Sequence, residues 1–229
     1  MSENRIRLSP MRRYVGKALQ HSIVTYPQAS GFFQADTTAL FQMKDRLKVE
    51  GYSVSFTAFI TKAVAIALQD FPQLNSRVED NELVMYDEVN PGIAIADDKG
   101  LYVMVLRNAG SKSVYEISNE IREMTQKVRD NKVTPDDMAG GTISISSAGT
   151  GRTEIFTSIV TNDQALIIGV GRTKEQPVVL SDKSIGIRRM TWIATNMNHL
   201  ITDGRPVSRF RDRLGEILEA PEVYFSFPH

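Results

Sequence analysis

A single mixed α/β domain is the fold class this sequence predicts, and three observations predict it. Segments with helical spacing alternate with short apolar runs of strand length along all 229 residues. Apolar residues make up 41% of the chain, enough for a substantial core at this length. No linker, low-complexity tract or internal repeat interrupts the pattern.

The elements follow in order. Pro10 to Ser22 reads as a helix with Met11, Val15, Ala18 and Leu19 on one side, and Pro27 ends that region. Gln28 to Ala35 is extended. Asp36 is a candidate N-cap for a helix through Leu40, Met43 and Leu47, stopped by Gly51. Ser55 or Thr57 opens a nearly all-apolar helix, Ala58 to Gln69, which must be deeply buried. Pro72 lies just beyond it, and Leu83 to Tyr86 reads as a strand. Ile93–Ala96 and Leu101–Leu106 form a hairpin about Asp97-Asp98-Lys99-Gly100. Ser113 caps an amphipathic helix to about Asn131, with Val114, Ile117, Ile121, Met124 and Val128 inward. After Gly140-Gly141 come strands at Thr142–Ser146, Ala165–Val170, Val178–Leu180, Ile185–Ile187 and Met190–Thr195, then a helix from about Arg205 to Leu218.

Composition excludes several function classes. Lys+Arg and Asp+Glu are equal at 27, so no charge excess advertises a nucleic-acid or membrane surface. Without cysteine there is no disulfide, thiol catalysis or Cys-type metal site. The N-terminus lacks the apolar stretch of a signal peptide and no run approaches membrane length, so a cytoplasmic protein is expected. Gly140-Gly141 and Gly149-Thr150-Gly151 are not phosphate loops, because no G-K-[ST] follows before a helix. Arg209, Arg211 and Arg213 alternate with Phe210, Asp212 and Leu214, which reads as a solvated helix face.

One histidine has a setting that suits chemistry. Of three in the chain, His21 lies on a polar helical stretch and His229 is the last residue. His199 follows the apolar run Met190–Thr195 and opens His199-Leu200-Ile201-Thr202-Asp203-Gly204. Imidazole titrates near neutral pH, a carboxylate four positions on can fix loop geometry or tautomer, and Gly permits a tight turn. A histidine merely ending a strand before a turn gives the same short pattern. Metal binding lacks partners for His199, since Asp203 alone is insufficient.

From Leu8 to Pro221 the chain resembles the catalytic domain of the 2-oxoacid dehydrogenase acyltransferases, the lipoamide acyltransferase core subunits. The matching wording includes Leu8-Ser9-Pro10-Met11-Arg12-Arg13, Phe59 to Leu68, Phe71-Pro72-Gln73-Leu74-Asn75 and Gly92–Ala96 with Gly100-Leu101. Gly140 to Gly149 and Ile167–Gly171 follow in the family's order before His199. Chloramphenicol acetyltransferase is similar in H-x-x-x-D-G and length, but less so elsewhere. The resemblance implies a two-layer α/β (α+β) fold of the chloramphenicol acetyltransferase type, a mixed central sheet with helices on one side.

It also implies a mechanism. His199 is the general base that deprotonates a thiol of dihydrolipoyl or coenzyme A, and the thiolate attacks an acyl thioester. Ser146 stabilises the tetrahedral oxyanion, and Asp203 holds the structure around the histidine. Taken alone, Ser146 is one of three serines (Ser144, Ser146, Ser147) at a strand end. It lies 53 positions before His199, so nothing local pairs them. In the family the two meet across a subunit boundary of a trimer, which implies a homotrimer or a larger particle built from trimers. Acyl-coenzyme A is the implied cosubstrate, no metal is needed, and a lipoyl group belongs on a separate carrier protein.

Departures from the family are equally legible. Its usual D-H-R-x-x-D-G is Asn198-His199-Leu200 here, which removes two charges beside the base. The usual G-L-V-V-P-V lacks its proline at Gly100–Val105, and N-P-P or N-x-P-Q becomes Asn162-Asp163-Gln164. No lipoyl or subunit-binding domain precedes the first motif, so residues 1–229 are expected to be one catalytic domain. Asp182-Lys183, superficially like a lipoyl-lysine turn, reads as a plain hairpin turn. The apolar Val223–His229 tail is suited to docking on a neighbour. Three functions stay open in this order: transfer between coenzyme A and a dihydrolipoyl thiol, transfer to a small hydroxyl or amine, and a catalytically weak oligomeric scaffold.

Overall fold

The computed structural model describes residues 3–97, 100–149, 151–161 and 163–227, apart from the side chains of Pro10 and Met11. Asp98-Lys99 of the expected hairpin turn, Thr150, Asn162 and the terminal Pro228-His229 lie outside the described residues. The chain runs through α1 (Pro10–Thr25), β1 (Gln28–Asp36), α2 (Thr38–Val49), α3 (Phe56–Gln69), β2 (Ser76–Glu79) and β3 (Glu82–Met85). Then come β4 (Pro91–Asp97), β5 (Gly100–Val105), α4 (Val114–Arg129), β6 (Ile143–Ser147), β7 (Leu166–Val179), β8 (Ile185–Asn198), α5 (Gly204–Glu219) and α6 (Pro221–Tyr224). Six strands form one sheet in the order β1-β8-β7-β6-β4-β5. The β4–β6 and β6–β7 pairs are parallel and the others antiparallel, so the sheet is mixed.

Strand register gives the sheet two unlike faces. Ile93, Ile145, Ile168 and Thr195 lie across from one another, as do Val170 and Ile193, and all are buried. These side chains share one core with α2, α3, α4 and α5. Side chains alternate along strands, so Ser144, Ser146, Gly169, Ala194 and Asn196 point to the other face. That face is small and polar, and the 151–161 segment partly covers it. Gly171 is needed there, because a Cβ would collide with the Glu154 carbonyl of that segment.

Helix boundaries follow the capping chemistry. The Ser55 hydroxyl accepts from Ala58 N at 3.1 Å to start α3, nine of whose residues are buried. Ser113 and Glu116 form a reciprocal capping box on α4. Gly51 takes φ +92° just past α2, as the expected stop requires. Asp36 is a correction: it ends β1, Thr37 occupies the N-cap position, and the Asp36 carboxylate accepts from Thr38 N at 3.0 Å. In α1, Val15 and Leu19 are half-buried but Ala18 is exposed, because only Ser22 and Tyr26 at its end reach the core.

Two further expectations change. Four expected strands between Ala165 and Thr195 are two continuous 14-residue strands, β7 and β8, forming one long hairpin. Its outer half is in solvent, so polar and charged residues from Arg172 to Gln176 break the apolar pattern without breaking the backbone ladder. The turn at Asp182-Lys183 is a plain hairpin turn, with Lys183 at φ +66°. β2 escaped the sequence reading although Asp80-Asn81, both at positive φ, make the tight turn joining it to β3.

Candidate active site

Ser146 sits near the C-terminal end of β6, opposite Gly169 of β7. It is half-buried, and its hydroxyl has no hydrogen-bond partner among the described residues. The strand beneath it is tied down by Gln164, which is 1% exposed. Gln164 accepts from the Ser144 hydroxyl at 2.8 Å and donates to the Gly141 carbonyl at 2.8 Å. Asp163, next in chain, takes φ +58° and accepts from the Tyr26 hydroxyl at 2.6 Å. Burial, with Asp163 alongside, pushes the Tyr26 phenol up to about 12. In sequence Asn162-Asp163-Gln164 stands out only as a departure from the family wording, and the anchoring role of Gln164 follows from where the fold places it against Ser144 and Gly141.

His199 follows the last residue of β8 in an exposed turn. Its backbone N–H donates to the Pro27 carbonyl at 2.7 Å, fastening the turn to the start of β1. Fully buried Asn198 is the hub beneath it. Its side-chain oxygen accepts from Leu200 N at 3.0 Å, and its carbonyl accepts from Ile201 N and Thr202 N. The Asn198 Nδ2 is buried without a hydrogen-bond partner among the described residues, and Leu200, where the family wording has arginine, is apolar and exposed. Both departures leave positions 198 and 200 of this turn without side-chain charge. Asp203 caps α5, accepting from Arg205 N at 3.1 Å, and so fixes where the turn ends.

The three residues are not brought together within one chain. Ser146 is level with Gly169 and Ala194, two strands from β6 to β8, and His199 lies five residues beyond Ala194. Strand geometry puts their Cα atoms roughly 19 Å apart, two strands across and five residues along. Two clefts lie near these positions, though neither is lined by Ser146 or His199 themselves. A cleft of about 450 Å³ beside Ser147 is lined by Phe41, Phe56, Thr57 and Arg172. At the His199 end a cleft of about 740 Å³ is lined by Asp203, Arg205, Arg209 and Arg213.

The arginines of α5 correct an expectation. Arg213 is held by Asp70 at 2.8 Å, Glu216 and the Tyr224 hydroxyl, and Arg211 reaches inward to Thr195 at 3.3 Å over Gly31. Only Arg205 and Arg209 form an exposed basic face without carboxylate partners among the described residues. The described residues contain no group of His, Cys, Asp and Glu able to hold a metal ion. None of their helices is long and apolar enough to cross a membrane.

Residues 1–226 match the family model of the 2-oxoacid dehydrogenases acyltransferase (catalytic domain). The chain belongs to this family. A dihydrolipoyllysine-residue succinyltransferase component of the 2-oxoglutarate dehydrogenase complex of Bartonella vinsonii subsp. berkhoffii is 34% identical over 227 residues. That match takes in 97% of this chain and 55% of the relative, and the chain spans about half the length of the curated relatives it matches. A probable dihydrolipoamide acetyltransferase from Listeria monocytogenes 4b F2365 superposes with a TM-score of 0.91 at 31% identity, covering 99% of this chain and 97% of that one. A dihydrolipoamide acetyltransferase of Azotobacter vinelandii, studied for a serine, a histidine and an asparagine in its catalytic mechanism, gives 0.93 at 27%, covering 97% and 94%. Chloramphenicol acetyltransferase shares the fold, with a TM-score of 0.54 at 18% identity, covering 88% and 94%. The α/β architecture expected of the family is the one observed.

Proposed function

We propose that this protein moves an acyl group between coenzyme A and a dihydrolipoyl-type thiol, at sites completed between neighbouring copies of the chain. The observation that carries this reading is the separation of Ser146 and His199. Each is at least partly exposed and its reacting atoms have no hydrogen-bond partner among the described residues, yet the two lie two strands and five residues apart. A head-to-tail neighbour brings the His199 of one copy to the Ser146 of the next. Such a heterologous contact closes into a ring, here a trimer.

In that site His199 takes the proton from the attacking thiol. The thiolate adds to the thioester carbonyl, forming a carbon–sulfur bond and a tetrahedral oxyanion. The Ser146 hydroxyl donates to that oxygen where the charge develops. Collapse breaks the original carbon–sulfur bond, and the leaving thiolate recovers the proton from His199. Asn198 and Asp203 hold the turn that presents the imidazole. Arg205 and Arg209, cations on the His199 side without carboxylate partners among the described residues, suit the phosphates of coenzyme A.

Relatives named as succinyl-, acetyl- and branched-chain acyltransferase components support the reaction class. The test offers acetyl-, succinyl- and isobutyryl-coenzyme A in turn with dihydrolipoamide, a free lipoyl domain, small alcohols and small amines. Products are identified by mass spectrometry, because thioester exchange leaves the total thiol unchanged. Acyl-dihydrolipoamide is the expected product. Acylation of only alcohols or amines contradicts the reading, and so does the absence of any product.

A further inference from the structure

The His199 imidazole is exposed and has no hydrogen-bond partner among the described residues, so its direction depends on how its backbone is held. Two backbone hydrogen bonds hold the turn at its base, one to each neighbouring strand. The His199 N–H donates to the Pro27 carbonyl at 2.7 Å on the β1 side, and the Asn198 N–H donates to the Ala165 carbonyl at 2.9 Å on the β7 side. Tyr26, the residue before Pro27, donates its hydroxyl at 2.6 Å to the carboxylate of Asp163, which lies two residues before Ala165. These three bonds close a ring through the start of β1, the histidine turn and the lead-in to β7. The Tyr26–Asp163 bond is the one side-chain member of that ring, a strap that joins the two flanking segments across the end of β8.

We propose that Tyr26 and Asp163 are positioning residues for His199, their bond keeping Pro27 and Ala165 at the spacing that aims the imidazole. Both side chains suit the task. Tyr26 is buried, and a phenol donating to a carboxylate is among the stronger hydrogen bonds. Asp163 takes φ +58°, a conformation that Asp and Asn adopt more readily than most residues. The N-P-P wording of the family would place proline here, which can neither take that φ nor accept a side-chain hydrogen bond. The strap is thus built on a departure of this chain. Its β7 side is pinned from outside, because the Asp163 carbonyl accepts from Val78 N at 3.1 Å and Ala165 N donates to the Ser76 carbonyl at 2.9 Å. Slack in the ring therefore appears on the β1 side, at Pro27 and at the histidine hung from it. The inference rests on His199 acting as the base, as proposed above.

Tyr26→Phe cuts the strap and leaves the ring in place. The fold is expected to survive, since the Gln28 side chain still ties β1 to Val160 N at 3.0 Å. Hydrogen exchange of the His199 amide, resolved by mass spectrometry, is expected to be about tenfold faster in Tyr26→Phe than in wild type. Steady-state kinetics should show kcat about tenfold lower with KM within about twofold. Asp163→Gly, which removes the acceptor at a φ that glycine accepts, should reproduce both values and stands in if Tyr26→Phe does not fold. Asp163→Asn keeps an acceptor and should restore both to near wild type, and Tyr14→Phe, an exposed tyrosine of α1, should change neither. An unchanged exchange rate at His199 when the strap is cut overturns the proposal. So does faster exchange with kcat unchanged, or an Asp163→Asn loss as large as that of Asp163→Gly. Exchange needs no turnover: in a wild type without acyl transfer, a faster rate at His199 upholds the strap while the acyl-transfer reading falls.

Discussion

Replacing Gln164 by Leu keeps the side-chain volume and removes both polar contacts that anchor the serine strand. Gln164 is 1% exposed and bridges the Ser144 hydroxyl to the Gly141 carbonyl, each at 2.8 Å. The Ser144 side is equally dry, with that residue 3% exposed. Losing two buried hydrogen bonds and stranding a hydroxyl and a carbonyl costs about 2–4 kcal/mol. For a chain of this size that lowers the melting temperature by on the order of 10 °C. Activity should fall as well, because Ser146 is only two residues beyond Ser144 on the same face of β6. A displacement of well under an ångström there lowers kcat by about tenfold or more. Differential scanning calorimetry and steady-state kinetics on Gln164→Leu read both effects, with Gln176→Leu on the solvent-facing arm as control. A melting temperature within about 2 °C of wild type, the shift expected of about 1 kcal/mol or less, refutes the view that this amide organises the serine strand.

Other outcomes follow from the same geometry. His199→Ala should lower acyl transfer by about a hundredfold or more while leaving unfolding unchanged, since the side chain is exposed; near-normal turnover removes it as the base. Ser146→Ala should lower kcat by on the order of a hundredfold with little change in KM, and an effect confined to KM assigns Ser146 to ground-state binding instead. The hydrogen bond from Lys127, with Thr134 helping, holds the Asp137 carboxyl down at about 2. Its folded-state value lies below the unfolded one, so its contribution to stability is present above pH 4 or so and lost as pH falls towards 2. Asp137→Asn should flatten that acid limb in a urea titration. Tyr26 has the opposite sign: its phenol is raised by burial, then by Asp163, so the stability it adds is complete below about pH 10 and lost as pH climbs towards 12. Tyr26→Phe should remove that alkaline loss, and an unchanged limb rules the pair out.

Most elements were legible because local chemistry and burial agree. The α3 run Ala58–Leu68 is apolar but for Thr61 and Lys62 and lies in the core, and the Ser113–Glu116 box starts α4 where its wording says it must. In sequence the β7–β8 hairpin looks like four pieces because hydrophobic pattern reports burial, and half of this hairpin is not buried by its own chain. His199, Ser146 and Asp203 could be named from motif wording, and Asp203 is found capping the helix that ends the histidine turn. Spacing along the chain could not show that Ser146 and His199 stand two strands and five residues apart, because β8 runs back to the level of Ser146 and on past it before the histidine turn. Gln164 and Asn198 were visible only as departures, since what each one holds is set by register and turn geometry rather than by its neighbours in sequence.

The claim that the site lies between copies is tested by mixing two variants that are each inactive. His199→Ala and Ser146→Ala chains, unfolded together in equal amounts and reassembled, form rings in random order. An interface is complete only where an intact Ser146 meets an intact His199, so about one interface in four is functional. The account predicts recovery to about a quarter of wild-type activity, with neither variant active when reassembled alone. Mixed rings, verified by a mass tag on one variant, that show no recovered acyl transfer contradict it, as does a fully active wild-type monomer in light scattering.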